Sequence, residues 1–345
     1  MRVAIGMSGG VDSAAAAILL KEQGHEVTGI TMRMWRPGKY RGGGEGSCFG
    51  PGEEKNIAAA AETARRIGID YRVFDVGEEY ERTVIDYFRN TYLDGRTPNP
   101  CVRCNAIVKF GLLPRLARES GLDFEKFATG HYARIGFRDG RYFLRRAVDH
   151  AKDQSYFLYR LSQEQLARHV FPLGELQKDR TREIVRKLFP ELADKADSQD
   201  FYVGGQQELI GEPDRPGNIV DRNGKVLGRH RGFWNYTIGK RRGLGIGGGE
   251  PYYVVGLDAA RNEVIVARRD EAVFREVRVE DMVGLRYDGP CRIKIRSAGE
   301  PVGPAFLKGN VCRIDDGVFG AASGQSAVFY SADDADEIIA GGIIV

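Results

Sequence analysis

The chain has 345 residues, which is enough for two or three domains. Hydrophobic residues make up 42% and charged residues 29%, a balance that is typical of a globular protein and argues against a disordered chain. The net charge of +3 is too small to indicate a nucleic-acid partner by itself. No apolar run approaches the ~20 residues that cross a bilayer, and no secretory signal is evident. We therefore expect a cytoplasmic protein with no membrane partner.

The first 130 residues alternate between strand and helix patterns. The predicted strands are 2–7, 26–35, 71–75 and 126–131, and the predicted helices are 12–23, 53–67, 78–92 and 107–119. This alternation predicts an α/β fold with a doubly wound parallel sheet, in which ligands bind beyond the carboxyl ends of the strands. The glycine-rich stretch 36–52 is interpreted as a loop over that site, with a passive surface linker as the alternative.

After Asp197 the helical patterns thin out, and short strand-like runs separated by turns follow. Asn223-Gly224 between two such runs is a strong hairpin signal. Evenly spaced short strands indicate small barrel-like units. The sequence therefore predicts an α/β domain over 1–197, a small and largely β central domain over 198–269, and a C-terminal β-barrel over 270–345.

The strongest single motif is Gly-Met-Ser-Gly-Gly-Val-Asp-Ser at 6–13, which follows an apolar strand and opens a helix. Glycines let the backbone approach phosphates, while the amides of a helix N-terminus present positive partial charge. The motif matches neither the G-x-x-x-x-G-K-[ST] loop nor G-x-G-x-x-G, which disfavours Walker-type NTPases and dinucleotide folds. The alternative is an accidental glycine turn in which Asp12 caps the helix.

A second motif, Thr-Pro-Asn-Pro-Cys-Val-Arg-Cys-Asn at 97–105, places two thiols after two prolines. The prolines restrict the backbone, so the motif is predicted to be a rigid loop that presents Cys101 and Cys104 at the start of the next helix. A helix N-terminus lowers the pKa of a thiol and favours nucleophilic attack. The alternative is a pair of buried, inert cysteines. Five cysteines without an export signal indicate a reducing compartment.

These two motifs occur in one order with Ala-Thr-Gly-His-Tyr at 128–132, Lys-Asp-Gln-Ser-Tyr at 152–156 and Tyr-Thr-Ile-Gly-Lys-Arg-Arg-Gly-Leu-Gly at 236–245. Together they resemble the tRNA-specific 2-thiouridylase family, MnmA/TrmU, of the PP-loop ATP pyrophosphatases. The resemblance covers essentially the whole chain. It implies a PP-loop catalytic domain, a small central domain, a C-terminal β-barrel, and thiolation of wobble uridine 34 in the anticodon stem-loops of Lys, Glu and Gln tRNAs.

The resemblance also assigns roles to individual positions. Asp12 would hold Mg²⁺ beside the departing pyrophosphate, and Cys104 matches the catalytic cysteine of the family. The positions expected to contact ATP are Gly6, Met7, Ser8, Gly9, Gly10, Val11, Asp12, Ser13, Met32 and Gly130. The positions expected to contact tRNA are Asn99, Pro100, Cys101, His131, Lys152, Asp153, Gln154, Arg296, Ser297 and Gln325. His131 as a hydrogen-bonded strand-end residue and Arg296 as a solvated strand residue are the alternatives.

The sequence departs from the family at two positions. Many members have Asp where this chain has Cys101, and many have a second, persulfide-bearing cysteine where it has Tyr202. Three thiolates, Cys48, Cys101 and Cys104, could instead hold a [4Fe–4S] cluster with one iron open to sulfide. The alternatives are a persulfide relay that uses only Cys101 and Cys104, a zinc site, and an inactive protein. The sulfur donor is expected to be a cysteine desulfurase, a relay protein or free sulfide.

Two segments are strongly basic. Seven positive charges and no acidic residue fall between Arg222 and Arg242, interleaved with aromatic residues, and five arginines surround a predicted hairpin at Asp139-Gly140. Such segments suit a phosphate backbone, although a charge run by itself is usually solvated surface. A PP-loop ligase or amidotransferase of small molecules, and a non-catalytic tRNA-binding iron–sulfur protein, are the competing functions. The basic segments disfavour the first, and the intact loop at 6–13 disfavours the second.

Overall fold

The computed structural model describes residues 1–40, 47–196, 201–247 and 249–345. The chain forms two compact units, each assembled from two segments. The first unit is Met1–Val84 with Cys101–Gly204, and the second is Ile85–Pro100 with Gly205–Val345. The predicted domain boundary after Asp197 lies outside the described residues, and the boundary at 269/270 stays a prediction.

The first unit is built on a parallel sheet, as the sequence predicted. Its strands are β1 (Arg2–Gly6), β2 (Glu26–Arg33), β3 (Asp70–Asp75), β4 (Lys126–Thr129), β5 (Ala133–Arg138), β6 (Arg141–Arg146) and β7 (His169–Val170). Five of them pair in the order β3-β2-β1-β4-β7, while β5 and β6 form a separate antiparallel hairpin. The hairpin turns at Asp139 and Gly140, both with positive φ, which confirms the hairpin predicted there.

The helices of the chain are α1 (Val11–Glu22), α2 (Glu53–Ile67), α3 (Gly77–Tyr80), α4 (Asp86–Leu93), α5 (Pro100–Arg103), α6 (Leu113–Glu119), α7 (Gln163–Arg168), α8 (Lys178–Arg186), α9 (Pro190–Ala193) and α10 (Gln206–Ile210). The alanine-rich α1 is buried along most of its length, because small side chains let it pack closely within the core of the first unit. Helix α2 ends at Gly68, whose φ of 67° is easily adopted only by glycine.

The helical stretch that carries the thiol motif differs from the prediction. The sequence placed a loop before a helix at 107–119, whereas helical structure already begins at Pro100 and continues through a π-helical segment, Cys104–Leu112, into α6. Proline is well suited to the first turn of a helix, where its missing N–H has no intrahelical partner. A π-helical segment, Glu81–Ile85, likewise joins α3 to α4 within the predicted helix 78–92.

The second unit is largely β. One sheet has the order β10-β11-β8-β9, with β8 (Gly217–Val220), β9 (Val226–His230), β10 (Tyr253–Asp258) and β11 (Glu263–Ala267). Strands β8 and β9 form the hairpin predicted from Asn223-Gly224. The other six strands close a barrel, which confirms the predicted C-terminal β-barrel. They are β12 (Val273–Gly284), β13 (Gly289–Lys294), β14 (Val302–Lys308), β15 (Val311–Phe319), β16 (Ser326–Ser331) and β17 (Ile338–Ile344).

The barrel core contains two of the five cysteines. Cys291 and Cys312 are buried there, with their sulfur atoms 4.0 Å apart, as expected for packing residues. None of the five cysteines, all of which belong to the described chain, is in a disulfide. Within the same described ranges, no helix is both long enough and apolar enough to span a bilayer.

Candidate functional site: a phosphate loop and three thiols

The phosphate loop connects β1 to α1 at the carboxyl end of the central strand. The Ser13 hydroxyl accepts the Ser8 amide at 3.2 Å and donates to the Gly10 carbonyl at 3.1 Å, which closes the loop on itself. No side chain caps the N-terminus of α1 at Gly10. The first amides of a helix that lacks such a cap are available to an anion, so the loop is suited to hold phosphate groups.

Two glycines permit the close packing behind this loop. Gly9 has a φ of +72°, and a Cβ there would lie 2.4 Å from the Asn56 carbonyl oxygen. A Cβ on Gly130 would lie 2.6 Å from the Asp12 carbonyl carbon and 2.8 Å from the Ser13 amide nitrogen. Since these contacts are with backbone atoms, neither position accepts a larger residue without displacing the loop. Met32, the other residue predicted to contact ATP outside the loop, is half-buried on β2.

Asp12 is held by residues that the sequence analysis did not find. The ammonium group of Lys178, at the start of α8, lies 2.6 Å from Asp12 Oδ1, and the Tyr132 hydroxyl donates to the same oxygen at 3.2 Å. The Lys178 side chain is only 8% exposed. A second lysine, Lys195, donates to the Gly9 carbonyl at 3.2 Å. Two cations therefore lie beside the loop that would receive phosphates.

These residues fit ATP and Mg²⁺. The helix N-terminus and the two lysines supply the positive charge that a triphosphate needs, and Asp12 supplies a carboxylate beside it. Mg²⁺ is commonly bound by one or two carboxylates together with substrate phosphates, so a single aspartate at this point is compatible with that ion.

The three predicted thiols lie around one buried tyrosine, Tyr80. Burial, followed by the charges of Cys48, Cys104 and Cys101, raises the pKa of Tyr80 well above its usual value. The ring of Tyr80 stacks on Phe49, next to Cys48, with centroids 5.1 Å apart. The structure thus brings together residues that are more than 50 positions apart in the sequence.

The thiols differ in exposure. Cys48 is exposed, whereas Cys101 and Cys104 are half-buried. Burial raises the pKa of Cys104 to about 12, although the nearby Lys109 opposes this. The sequence-based expectation of a lowered pKa is therefore wrong for Cys104, because loss of solvation outweighs the helix N-terminus. Desolvation also raises the pKa of the Cys48 thiol, and the charge of Lys109 opposes this.

The loop before Cys48 is anchored by Glu53, another residue missed from the sequence. Its buried carboxylate accepts the amides of Met34, at 2.9 Å, and Trp35, at 2.8 Å, just after β2. Burial raises the pKa of Glu53 to about 7 despite these hydrogen bonds. A buried hydrogen-bond acceptor thus holds residues 34 and 35 where the chain leaves β2.

The metal prediction was tested on the geometry of the donors. In the portion of the chain that is described, no three Cys, His, Asp or Glu side chains are grouped closely enough to hold a metal ion. Cys48, Cys101 and Cys104 share a neighbour in Tyr80 but do not form a metal site in this arrangement. The residues present do not fit a [4Fe–4S] cluster as they stand.

Known proteins match the chain along its whole length. The family model described as the tRNA methyl transferase HUP domain matches residues 1–203, and the model described as the tRNA methyl transferase PRC-barrel domain matches 208–268. A tRNA-specific 2-thiouridylase MnmA from Endomicrobium trichonymphae is 43% identical, with 100% of this chain and 99% of that protein covered. The chain belongs to the MnmA family. The MnmA of Pelobacter propionicus is 42% identical over 100% of this chain and 97% of its own length.

A further relative, the MnmA of Geobacter metallireducens, is 42% identical over 99% of this chain and 96% of its own length. A solved complex of a 4-thiouridine synthetase with RNA and bound ATP has 15% identity and a TM-score of 0.36, over 56% of this chain and 42% of that chain. Although the family models are described as methyl transferases, the three relatives are named for thiolation.

Tyr202, which the family resemblance places where a second cysteine is expected, is buried. Tyr202 is 8% exposed, and its ring lies 6.2 Å from that of Phe49. The Phe49 amide donates to the Phe201 carbonyl at 2.9 Å, and the Cys48 thiol donates to the same oxygen at 3.6 Å. Residues 197–200 of the predicted motif lie outside the described part of the chain. Cys48 is therefore hydrogen-bonded to the residue that precedes Tyr202.

Three positions expected to contact tRNA lie together in the second unit. The side-chain amide of Gln325 donates to the Pro98 carbonyl at 2.6 Å. The backbone amide of Thr97 donates to the Ser323 carbonyl at 2.7 Å. The Asn99 amide donates to the Tyr87 hydroxyl at 3.2 Å. Gln325 thus fixes the segment that leads through Asn99 to Pro100, the first residue of α5.

Other predicted tRNA positions surround β4 and the following turn. The His131 ring contacts the Thr129 hydroxyl at 2.7 Å, and burial holds its pKa well below the usual value, so the ring is neutral. The side-chain oxygen of Gln154 accepts a hydrogen bond from the Tyr132 backbone amide at 3.0 Å. The backbone amide of Gln154 donates to the Tyr132 carbonyl at 2.8 Å. Lys152 is half-buried on the turn that precedes Gln154.

Asp153 has a different environment from its neighbours. Its side chain is fully buried, accepts the Ser155 hydroxyl at 2.9 Å and lies 3.8 Å from Arg146. In the second unit, Arg296 and Ser297 are exposed after β13, and Arg296 also donates to the Phe319 carbonyl. The exposed residues of this group can reach a ligand directly, whereas Asp153 supports the turn from inside.

Proposed function

We propose that this protein converts a uridine of tRNA to 2-thiouridine in an ATP-dependent reaction. The observation that carries the proposal is that one compact unit contains both an uncapped phosphate loop and a set of three thiols. Membership of the MnmA family supports it, since the relatives are named for this activity. A phosphate loop alone would also suit a small-molecule ligase, but a ligase has no need of the thiols.

The chemistry requires both parts of the site. The C2 oxygen of uracil is a poor leaving group, so it must first attack the α-phosphorus of ATP, whereupon the bond to pyrophosphate breaks. Sulfur then attacks C2, the carbon–oxygen bond breaks, and AMP leaves with the bonding electrons. The sulfur arrives either as hydrosulfide or as a persulfide, and a persulfide needs two further electrons from a thiol reductant.

In this proposal residues 6–13 hold the phosphates, and Met32 and Gly130 complete the ATP site. The loop amides and Lys178 stabilise the negative charge that develops on the departing pyrophosphate, because they are fixed in place before the reaction. Asp12 is the residue that would bind Mg²⁺, which supplies charge neutralisation when present. Lys178 holds the Asp12 carboxylate in position through the 2.6 Å contact.

Cys104 is the proposed nucleophilic cysteine, with Cys101 beside it and with Asn99 and Pro100 at the target base. A Cys104 thiol with a pKa of about 12 is almost entirely protonated at neutral pH. At neutral pH only a small fraction of Cys104 is therefore the thiolate that attacks, and Lys109 is a described cation that favours it.

We further propose uridine 34 in the anticodon stem-loops of Lys, Glu and Gln tRNAs as the target. The proposed tRNA-binding positions are His131, Lys152, Gln154, Arg296, Ser297 and Gln325, while the buried Asp153 supports the turn that carries Lys152 and Gln154. The basic segments of β5, β6 and residues 222–242 supply the charge that a phosphate backbone needs. A cysteine desulfurase, a relay protein or free sulfide is the proposed sulfur source, and five cysteines without a disulfide suit the cytoplasm.

The [4Fe–4S] cluster on Cys48, Cys101 and Cys104 stays a prediction of the sequence. Three thiols around one side chain support it, whereas the absence of a grouped metal site in the described residues does not. Iron and acid-labile sulfide are measured after anaerobic purification. A stoichiometric content of both would establish the cluster.

The function is tested by measuring pyrophosphate release from ATP with and without unmodified tRNA, and by detecting 2-thiouridine in the digested product. We expect release that depends on tRNA and is lost when uridine 34 is replaced by cytidine. Cys104→Ala should abolish 2-thiouridine, while the matched control Cys291→Ala, in the barrel core, should not. Equal pyrophosphate release with and without tRNA would contradict the proposal and favour a small-molecule substrate.

A further inference from the structure

We infer that Cys48 is the thiol that receives sulfur from an external donor and passes it to Cys104. This inference rests on the proposed function. It assigns Cys48 a place in sulfur transport, taking over from the cysteine that Tyr202 replaces, in an arrangement that needs no metal cluster.

The first observation is the position of the Cys48 loop. Cys48 and Phe49 both bond to the carbonyl of Phe201, at 3.6 Å and 2.9 Å, so the loop is attached one residue before Tyr202. The Tyr202 side chain is buried and fills space against Phe49. Tyr202 thus packs against Phe49, while Cys48 contributes the thiol beside it.

The second observation links Cys48 to Cys104. Phe49 stacks on Tyr80, and α3, which ends at Tyr80, packs against the π-helical segment that begins at Cys104. The Arg103 guanidinium donates to the Thr83 carbonyl at 2.7 Å, which ties the two helical segments together. Cys48 and Cys104 are near enough that negative charge on Cys48 raises the pKa of Cys104.

The third observation is the gradient of exposure. Cys48 is exposed, whereas Cys104 is half-buried. Thiol exchange requires access to the attacking sulfur, so a donor too large to enter the site reaches Cys48 more readily than Cys104. Two thiols at different depths allow the donor to remain outside while the sulfur moves inward.

The transfer consists of two balanced exchanges. The Cys48 thiolate attacks the outer sulfur of a persulfide donor, the sulfur–sulfur bond breaks, and the donor leaves as a thiolate. The Cys104 thiolate then attacks the outer sulfur of the Cys48 persulfide, and Cys48 leaves as a thiolate. Each step forms one sulfur–sulfur bond and breaks one, so neither needs an oxidant or a reductant.

Lys109 is placed to assist the second exchange. It lies one turn along the π-helical segment from Cys104, and its positive charge favours the thiolates of both Cys48 and Cys104. The cation therefore stabilises the negative charge before and after the sulfur moves. This arrangement distinguishes the pair from Cys291 and Cys312, which are buried in the barrel core.

The test follows labelled sulfur on the full-length protein. The reduced protein is mixed anaerobically with glutathione persulfide carrying ³⁵S in its outer sulfur, and it is quenched with iodoacetamide at successive times. Trypsin cleaves after Arg103 and Lys109, so Cys48, Cys101 and Cys104 appear on separate peptides. We expect the label on Cys48 first and on Cys104 afterwards.

The variants sharpen the result. In Cys104→Ser the label should remain on Cys48, and in Cys48→Ser labelling of Cys104 should slow by about tenfold or more, because the donor must reach a half-buried thiol. Cys291→Ser should behave as the wild type. Labelling of Cys104 at the wild-type rate in Cys48→Ser, or label on Cys101 or Cys104 before Cys48, would overturn the inference.

Two outcomes separate this inference from others. Iron and sulfide bound by the wild type and lost in Cys48→Ser would overturn the relay in favour of the cluster. The labelling needs neither ATP nor tRNA, so it is independent of the proposed function. Absence of tRNA-dependent pyrophosphate release in the wild type would contradict that function, while the labelling order would still decide whether Cys48 receives the sulfur.

Discussion

The phosphate loop and the thiol group, although both belong to the first unit, are built in opposite ways. The loop is a contiguous run of eight residues whose hydroxyls and amides bond to one another. The thiols come from two distant segments, a loop at 48 and a helix start at 101–104, and are brought together around Tyr80. A contiguous site is defined by local sequence, whereas a dispersed one depends on tertiary packing.

The electrostatics differ in the same way. Around the loop, Asp12 and Lys178 compensate each other at 2.6 Å, so the charged groups needed for ATP are ready before it binds. Around the thiols, burial raises the pKa of Cys104 to about 12 and also raises that of Cys48. The first site holds its charged groups in place in advance, while at the second only a small fraction of Cys104 is thiolate at neutral pH.

The largest expected effect follows from removing the charge of Asp12. In Asp12→Asn, the carboxylate that lies 2.6 Å from the 8% exposed Lys178 ammonium is removed, and we expect tRNA-dependent pyrophosphate release to fall by about 100-fold or more. The free energy of unfolding should fall by about 1–3 kcal/mol, because a hydrogen bond to a buried charged group is lost. Steady-state kinetics measures the rate of pyrophosphate release, and urea unfolding measures the free energy. Asp179→Asn, at an exposed position on α8, is the control. If both variants lost the same activity and stability, the contact between Asp12 and Lys178 would not have the role described.

A smaller effect is expected from adding a methyl group behind the loop. In Gly130→Ala the new Cβ would lie 2.6 Å from the Asp12 backbone, and the resulting strain should cost about 1–3 kcal/mol. The loop must move to relieve it, so ATP affinity measured by calorimetry should fall about tenfold. Gly205→Ala, where a Cβ meets no atom within 4 Å, should leave affinity unchanged. Undiminished ATP binding by Gly130→Ala would show that the loop is not held as closely as described.

The smallest effect on activity concerns Glu53, which accepts the amides of Met34 and Trp35 just after β2. Its pKa is about 7 in the folded protein and about 4.5 in the unfolded chain, so between these values the folded state holds a proton that the unfolded state has lost. The stability that this proton contributes is present below pH 4.5 and is lost as the pH rises to 7, by roughly 3 kcal/mol at most.

The Trp35 amide resonance should therefore shift with a midpoint near pH 7, since that amide donates to Glu53. Glu53→Gln should remove the transition, while Glu54→Gln, an exposed neighbour paired with Arg33, should retain it. A midpoint at the usual pKa of a glutamate would mean that the carboxylate is better solvated than its burial indicates.

Sequence alone could identify most of the fold and the contiguous half of the site. The strand and helix periodicity predicted the parallel sheet, and the turn signals at Asn223-Gly224 and Asp139-Gly140 predicted two hairpins. These features depend on neighbouring residues. Family resemblance added positions such as Gln325, whose contact with Pro98 no local pattern shows.

What escaped prediction depends on contacts between distant segments. Lys178 is 166 residues from Asp12, and nothing in its helix distinguishes a lysine that will be buried against a carboxylate from a solvated one. The pKa of Cys104 was expected in the wrong direction because its burial is a tertiary property. Glu53 resembles an ordinary first-turn glutamate of α2 until the amides of Met34 and Trp35 are seen to bond to it.

The division of the chain has a practical consequence for engineering. Residues 85–100 belong to the same compact unit as 205–345, and Thr97 and Pro98 bond to Ser323 and Gln325, just before β16. The polypeptide therefore passes between units three times. A fragment ending near Gly204 would keep the ATP loop but strip the Thr97–Pro100 segment of the bonds that shape it. Anyone who wishes to isolate the nucleotide-binding half should replace that segment with a linker rather than truncate the chain.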